Sequence, residues 1–187
     1  MTGDIKHLLS ECRKGERLAQ KQFYQLFRSK MFVLCLRFAN NREDAEDLLQ
    51  EGFVRVFLDL HQYKGAGNLE GWVRKVFLNT CLQYIRKQKK VFPTEYLDNY
   101  LAFAEPQIDN TTPERGKELI QLLQKMPAGY RAVINLYVLE GYTHAAIGEE
   151  LGISENTSKS QYSRARTHLK GLLKTQLSLP QEKIINP

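Results

Sequence analysis

Across residues 6–90 apolar side chains return every three or four positions and no proline interrupts them, the period of amphipathic helices rather than of strands. The stretch "ERLAQKQFYQLFRSKMFVLCLRFA" places Leu18, Phe23, Leu26, Phe27, Phe32 and Leu36 on recurring faces of one or two helices. In "NNREDAEDLLQEGFVRVFLDL", Asn41 is placed to cap a helix whose first turn carries Glu43 and Asp44, where the helix dipole favours carboxylates. Leu48, Leu49, Phe53, Val56, Phe57 and Leu60 make its buried stripe. The glycines of "HQYKGAGN" end the run. "LEGWVRKVFLNTCLQYIRKQKK" then predicts a helix buried through Trp72, Val73, Val76, Phe77 and Ile85.

Residues 91–113 break the pattern with Pro93, Pro106 and Pro113 and read as a flexible linker, with one short helix near residues 96–103. Two further helices follow, "ERGKELIQLLQKM" and "PAGYRAVINLYVLEGY", with Pro127 at a helix start, where a missing N–H costs nothing. Residues 143–151 form a short helix, Gly152 and Ile153 turn a corner, and Ser154 caps a second helix to about residue 173. The period thus predicts an all-α chain of two small helical domains, residues 1–90 and 114–175, joined by the linker 91–113 and ending in a frayed tail, 176–187.

Composition changes this picture little and charge changes it more. A 187-residue chain with 42% hydrophobic and 26% charged residues is an ordinary globular composition, and it carries neither a membrane-spanning run nor a signal-peptide core, which predicts a cytoplasmic protein with no membrane insertion. Cys12, Cys35 and Cys81 stand far apart inside helical patterns and read as small buried hydrophobes, not as disulfide or zinc ligands. The net charge of +6 is uneven: residues 1–90 carry +7, the linker −4 and residues 114–187 +3. Two basic blocks flanking an acidic bridge suit a polyanionic partner, although a basic face can also be merely solvated. His7, His61, His144 and His168 are scattered without metal-ligand spacing, and there is no glycine-rich phosphate loop or local triad motif, so no metal, cofactor or catalytic residue is expected.

The corner at Gly152 is the sharpest candidate for chemistry. In its second helix Ser158, Tyr162, Ala165, Leu169 and Leu172 recur by four and three and face inward, leaving Asn156, Lys159, Ser160, Ser163 and Arg164 outward. Recognition helices present their first turns to base edges in the major groove. Lys159 and Arg164 can donate to guanine, Asn156 or Gln161 can pair with adenine, Ser160 can adapt, and Arg166, Lys170 and the helix N-terminus suit phosphates. Such corners also occur in helical bundles that never meet DNA. A second polar stripe, Lys75, Asn79, Gln83, Arg86 and Lys90, is spaced by four, four, three and four and holds no carboxylate.

In this order the segments "NREDAEDLLQEGFVRVF", "GWVRKVFLNTCLQYIRKQKK" and "MPAGYRAVINLYVLEGYTHAAIGEELGISENTSKSQYSRARTHL" resemble the bacterial RNA polymerase sigma-70 family, specifically its extracytoplasmic-function (ECF) type. The resemblance covers residues 16–173. It implies a sigma factor that directs core polymerase to promoters. Asp44, Asp47, Gln50 and Glu51 would dock on the clamp helices of the largest polymerase subunit, and the second domain would meet the flap region. Asn156, Thr157, Lys159, Ser160, Gln161, Arg164 and Arg166 would bind the −35 element as duplex. Lys75, Asn79, Gln83, Arg86, Lys87 and Lys90 would engage the −10 element, with Tyr63 and Lys64 near an unstacked base. It also implies a cognate anti-sigma factor, of a kind that can be anchored in the membrane. No nucleotide is hydrolysed in such a role.

Three positions depart from the family pattern. Gly148 stands where alanine is usual and Ser158 where valine is, each expected to weaken packing slightly. Gln83 stands where aspartate is common, so base preference does not transfer. An autonomous helix-turn-helix regulator with a helical sensor domain is the competing reading, and the stripe from Lys75 to Lys90 argues against it, since a sensor has little use for a second DNA-facing helix.

Overall fold

The computed structural model describes residues 2–65, 67–88 and 113–178. It is all-α: the described residues are helices and their connections, with no strand among them. Cα packing divides the chain into two compact units, Met1–Val91 and Phe92–Pro187. Residues 96–103, for which a short helix is predicted, Lys90 and the end of the tail lie outside the described residues. Among the described residues no helix is long and apolar enough to cross a membrane.

The first unit comprises α1 (Thr2–Arg13), α2 (Arg17–Phe38), α3 (Arg42–Asp59), a 3-10 turn (Leu60–Gln62) and α4 (Leu69–Lys87). Asn41 caps α3, its side chain accepting from the Asp44 N–H at 2.7 Å, and Asn68 caps α4 by accepting from the Glu70 N–H at 3.0 Å. The core is aromatic. Phe53 lies edge-on to Phe77 at 5.1 Å and tilted against Tyr24 at 4.6 Å, while Phe23 meets Phe27 and Phe57. Gly52 is what lets α3 and α4 close on that ring: a Cβ there would fall 2.3 Å from a Phe77 ring carbon. All three cysteines are free and buried, and burial pushes the Cys12 thiol up, away from reactivity.

Two α2 residues break the expectation. Leu18 and Leu26 are exposed, because Ala19, Phe23, Phe27, Met31, Leu34 and Phe38 already fill the face turned to α3 and α4. Each leucine immediately precedes a residue of that stripe, Ala19 or Phe27, and so sits about 100° round the helix from it; apolar identity alone assigned them inward.

The second unit comprises α5 (Pro113–Gln124), α6 (Ala128–Ile134), a π-helical turn (Asn135–Leu139), α7 (His144–Leu151) and α8 (Glu155–Ser178). Leu123, Met126, Ile134 and Ala165 form its centre, with Leu119, Tyr130, Val138, Tyr162, Leu169 and Leu172 packed around them. The helix predicted after Pro127 widens at Asn135, where the Glu140 N–H reaches back five residues to the Asn135 carbonyl. The buried Asn135 amide donates to the Arg131 carbonyl at 2.8 Å, and buried Arg131 donates to the Gln124 carbonyl at 3.4 Å, near the end of α5.

Candidate nucleic-acid interface

The corner between α7 and α8 is built by local rules. Thr143 caps α7, its hydroxyl accepting from the Ala146 N–H at 3.2 Å. Gly152 ends it in the left-handed region (φ 68°), and the Ile153 N–H returns to the Gly148 carbonyl at 3.0 Å. Ser154 opens α8, its Oγ accepting from the Thr157 N–H at 3.0 Å. Gly148 is more than a slight weakening of the motif, because a Cβ there would lie 2.8 Å from the Ile153 carbonyl oxygen. In this chain the two helices approach so closely that the missing side chain is part of the corner.

Ser158 likewise has a partner that the family comparison did not suggest. It is fully buried, and its Oγ shares a 3.0 Å hydrogen bond with His144 Nδ1. The His144 ring stacks on Tyr137 at 4.4 Å with only 10° between planes, and Tyr162 closes the cluster. Burial first, then the nearby Lys159 cation, lowers the His144 pKa from its ordinary 6.5, while Glu155 opposes them. A neutral imidazole therefore fastens α7 to α8.

On α8 the exposed face agrees with the predicted one at several positions. Asn156 is exposed, and Lys159, Ser160, Ser163, Arg164 and Arg166 are half-buried. Lys159 is held one turn away by Glu155 at 2.7 Å, a pairing that also lowers the Glu155 pKa. Arg166 lies over the Tyr162 ring at 5.7 Å. The Thr157 and Ser154 hydroxyls bond each other at 2.8 Å, and Ser160 donates to the Thr157 carbonyl at 3.0 Å, so these short side chains serve the helix start. Gln161 is a correction: it is only 2% exposed and does not share the outer face. Three residues after Ser158 and four before Ala165, both fully buried, it belongs to the inward stripe.

In the first unit the stripe on α4 is carried by exposed Lys75, Asn79, Arg86 and Lys87, with Gln83 half-buried. Lys64 is exposed in the connection before α4. Tyr63 is a second correction, since its ring is buried against Trp72 at 5.5 Å and its hydroxyl donates to the Gly67 carbonyl at 2.9 Å. It braces the connection and is not presented for stacking on a base.

The four acidic and amide residues expected to form one edge of α3 divide into two pairs. Asp47 and Gln50 are exposed. Asp44 is tied to α4: its carboxylate accepts from the Tyr84 hydroxyl at 2.6 Å and from Asn40 at 3.1 Å. Glu51 is held by Arg55 at 2.7 Å. Sequence reasoning passed over Val54 and Leu58, which are 58% and 68% exposed and continue the Asp47 face at helical spacing. The i, i+4 step from Gln50 to Val54 to Leu58 was the available signal.

Comparison with known proteins supplies the frame for these surfaces. Residues 23–91 match the model described as Sigma-70 region 2, and residues 116–169 match Sigma-70, region 4. The ECF RNA polymerase sigma factor SigM of Bacillus subtilis is 30% identical over 152 residues, covering 81% of this chain and 93% of the relative. SigW of the same organism, also an ECF RNA polymerase sigma factor, is 27% identical over 184 residues, 91% of this chain and 97% of its own. SigE of Mycolicibacterium smegmatis, with the same description, is 29% identical over 166 residues, 85% of this chain but 64% of its own length. Two region models in the right order, and near full-length similarity to relatives of one kind, place this chain in the sigma-70 family as a member of its ECF type.

Proposed function

We propose that this ECF sigma factor brings core RNA polymerase to promoters through a grip divided between its two units. The observation that carries the reading is that one chain holds two separate helical faces rich in cations and amides, α4 and α8, each on its own core. In the second domain, residues 114–175, Asn156, Lys159 and Arg164 read the −35 element in the major groove, and Arg166 holds phosphate. The partly exposed ion pair of Lys159 with Glu155 is no obstacle, because the acceptor edge of a guanine replaces the carboxylate as partner. In the first domain, residues 1–90, Lys75, Asn79, Gln83, Arg86 and Lys87 hold the −10 strand, with Lys64 beside it. Single-strand binding there offsets the stacking lost when the duplex opens.

Asp47 and Gln50, flanked by Val54 and Leu58, form the edge that docks on the clamp helices of the largest polymerase subunit, and the second domain meets the flap region. The linker 91–113 lets the domains reach two elements at once. An anti-sigma factor, of a kind that can be anchored in the membrane, blocks these faces until a signal arrives. The protein works in the cytoplasm as a regulator and catalyses no reaction of its own.

Transcription in vitro with core polymerase from the source bacterium, on fragmented genomic DNA, tests the reading. Discrete transcripts that require this protein, with starts sharing an upstream two-block motif, are expected. Tight duplex binding without polymerase and no new transcript would favour an autonomous regulator. Arg164→Ala is expected to cost about 1–3 kcal/mol of −35 discrimination, read from transcription on promoters substituted in that block.

A further inference from the structure

The connection between α3 and α4 is pinned from outside itself. Arg13, the last residue of α1, donates Nη2 to the Tyr63 carbonyl at 2.6 Å and Nε to the Leu60 carbonyl at 3.3 Å, across 50 and 47 residues of sequence. These carbonyls sit at the two ends of the 3-10 turn, and the Leu60 oxygen also accepts from the Tyr63 N–H at 3.3 Å. One guanidinium thus bridges the turn, with the charge-assisted geometry that makes arginine a strong donor to oxygen. Downstream, Tyr63 is fastened to Gly67 by its hydroxyl and to Trp72 by its ring, and Asn68 starts α4. α1 is itself anchored, with Leu9 and Cys12 buried. The chain entering α4 is therefore held at Leu60, Tyr63 and Gly67, while the Lys64 side chain stays exposed.

We propose that Arg13 is a positioning residue for −10 selection: through the Leu60 and Tyr63 carbonyls it fixes the backbone that presents Lys64 and the start of α4 to the opened strand. The proposal rests on the reading of this connection as a −10 contact. Its physical basis is preorganisation. A surface already ordered before the strand arrives discriminates by contact, whereas one that must be ordered on binding spends part of each correct contact on its own entropy. Arg13 touches no nucleotide in this scheme, so its loss blurs a preference without removing a contact.

The test uses the full chain with core polymerase on a promoter library randomised through the −10 and −35 blocks, comparing wild type, Arg13→Ala, Arg13→Lys and Lys64→Ala. The expected result for Arg13→Ala is a loss of about tenfold in preference at the −10 position that Lys64→Ala also affects. The −35 preference and the affinity for core polymerase stay unchanged, and Arg13→Lys, which keeps the charge and one donor, restores part of the preference. A uniform fall in transcription with unaltered base preference would overturn the proposal, reducing Arg13 to a structural brace. Lys64→Ala shifting the −10 preference while Arg13→Ala leaves it intact would overturn it too, with the −10 reading still standing. Should neither substitution alter the −10 preference, the reading of this connection fails and the inference goes with it.

Discussion

The two units bury different chemistry. The first closes around phenylalanine rings, with Phe23, Phe38 and Phe77 fully enclosed, and its buried polar side chain, Thr80, returns a bond to its own helix at Val76. The second encloses Arg131, Asn135, Ser158 and Gln161 among smaller aliphatic groups. The phenylalanine rings hold no titrating group, and their close fit, with no room for a Cβ at Gly52 beside Phe77, holds α4 steady against α3. The hydrogen bond between Ser158 and His144 specifies one geometry for the corner, because displacing either partner leaves the buried Ser158 hydroxyl unpaired. The comparison teaches that the first unit's core is set by ring packing, with the tie between Tyr84 and Asp44 lying outside that core, whereas the second carries a hydrogen bond between buried Ser158 and His144 across the join of α7 and α8.

Four measurements would break or sharpen that contrast, in order of expected effect. Phe77→Ala removes the ring that meets both Phe53 and Gly52, and is expected to cost about 3–5 kcal/mol. Trp72 is the only tryptophan in the chain, so its fluorescence follows the first unit's unfolding, and NMR signals from the second unit should persist past that transition. Simultaneous loss of both units would end the idea of independent cores.

Gly148→Ala comes next. The gain in helix propensity, about 1 kcal/mol, is outweighed by a Cβ pressed to 2.8 Å from a backbone oxygen, giving a net loss of about 1–2 kcal/mol in the second unit by denaturant titration. An increase in stability would show that the corner has room to relax. Ser154→Ala removes the cap of α8 and is expected to cost about 1 kcal/mol there, with the melting of the first unit unmoved.

The smallest effect separates the units by pH. The folded pKa of His144 lies below its unfolded value of 6.5, so the unfolded chain binds the extra proton first as pH falls. The His144 contribution is full above pH 6.5 and is lost as pH drops from there through the lowered folded value. The second unit's midpoint should fall across that window, and His144→Phe should flatten the dependence. An unchanged slope in the variant would place the acid sensitivity elsewhere.

The helices were legible because their cores follow a strict period, and caps such as Asn41 and Ser154 announced where they begin. Leu18 and Leu26 were misplaced because residue type speaks louder than phase when a helix has a single buried stripe. Of the candidate interface, the outward positions Asn156 and Lys75 could be read from spacing. Gln161 and Tyr63 could not, since their polar atoms suggested a surface that packing denied them. Arg13 and Tyr84 escaped notice because their partners lie 40 to 50 residues away, a distance that no local pattern encodes.

Separate cores also have a consequence in time. Each unit encloses its apolar side chains with residues of its own stretch of chain, so the first can complete itself while the second is still being synthesised. At about 5–20 residues per second, the remaining half of the chain takes roughly 5–20 s to emerge, far longer than a small helical bundle needs to fold. The nascent protein thus passes through a stage in which one finished half waits on the ribosome for the other, and any factor that recognises the first half alone can meet it there.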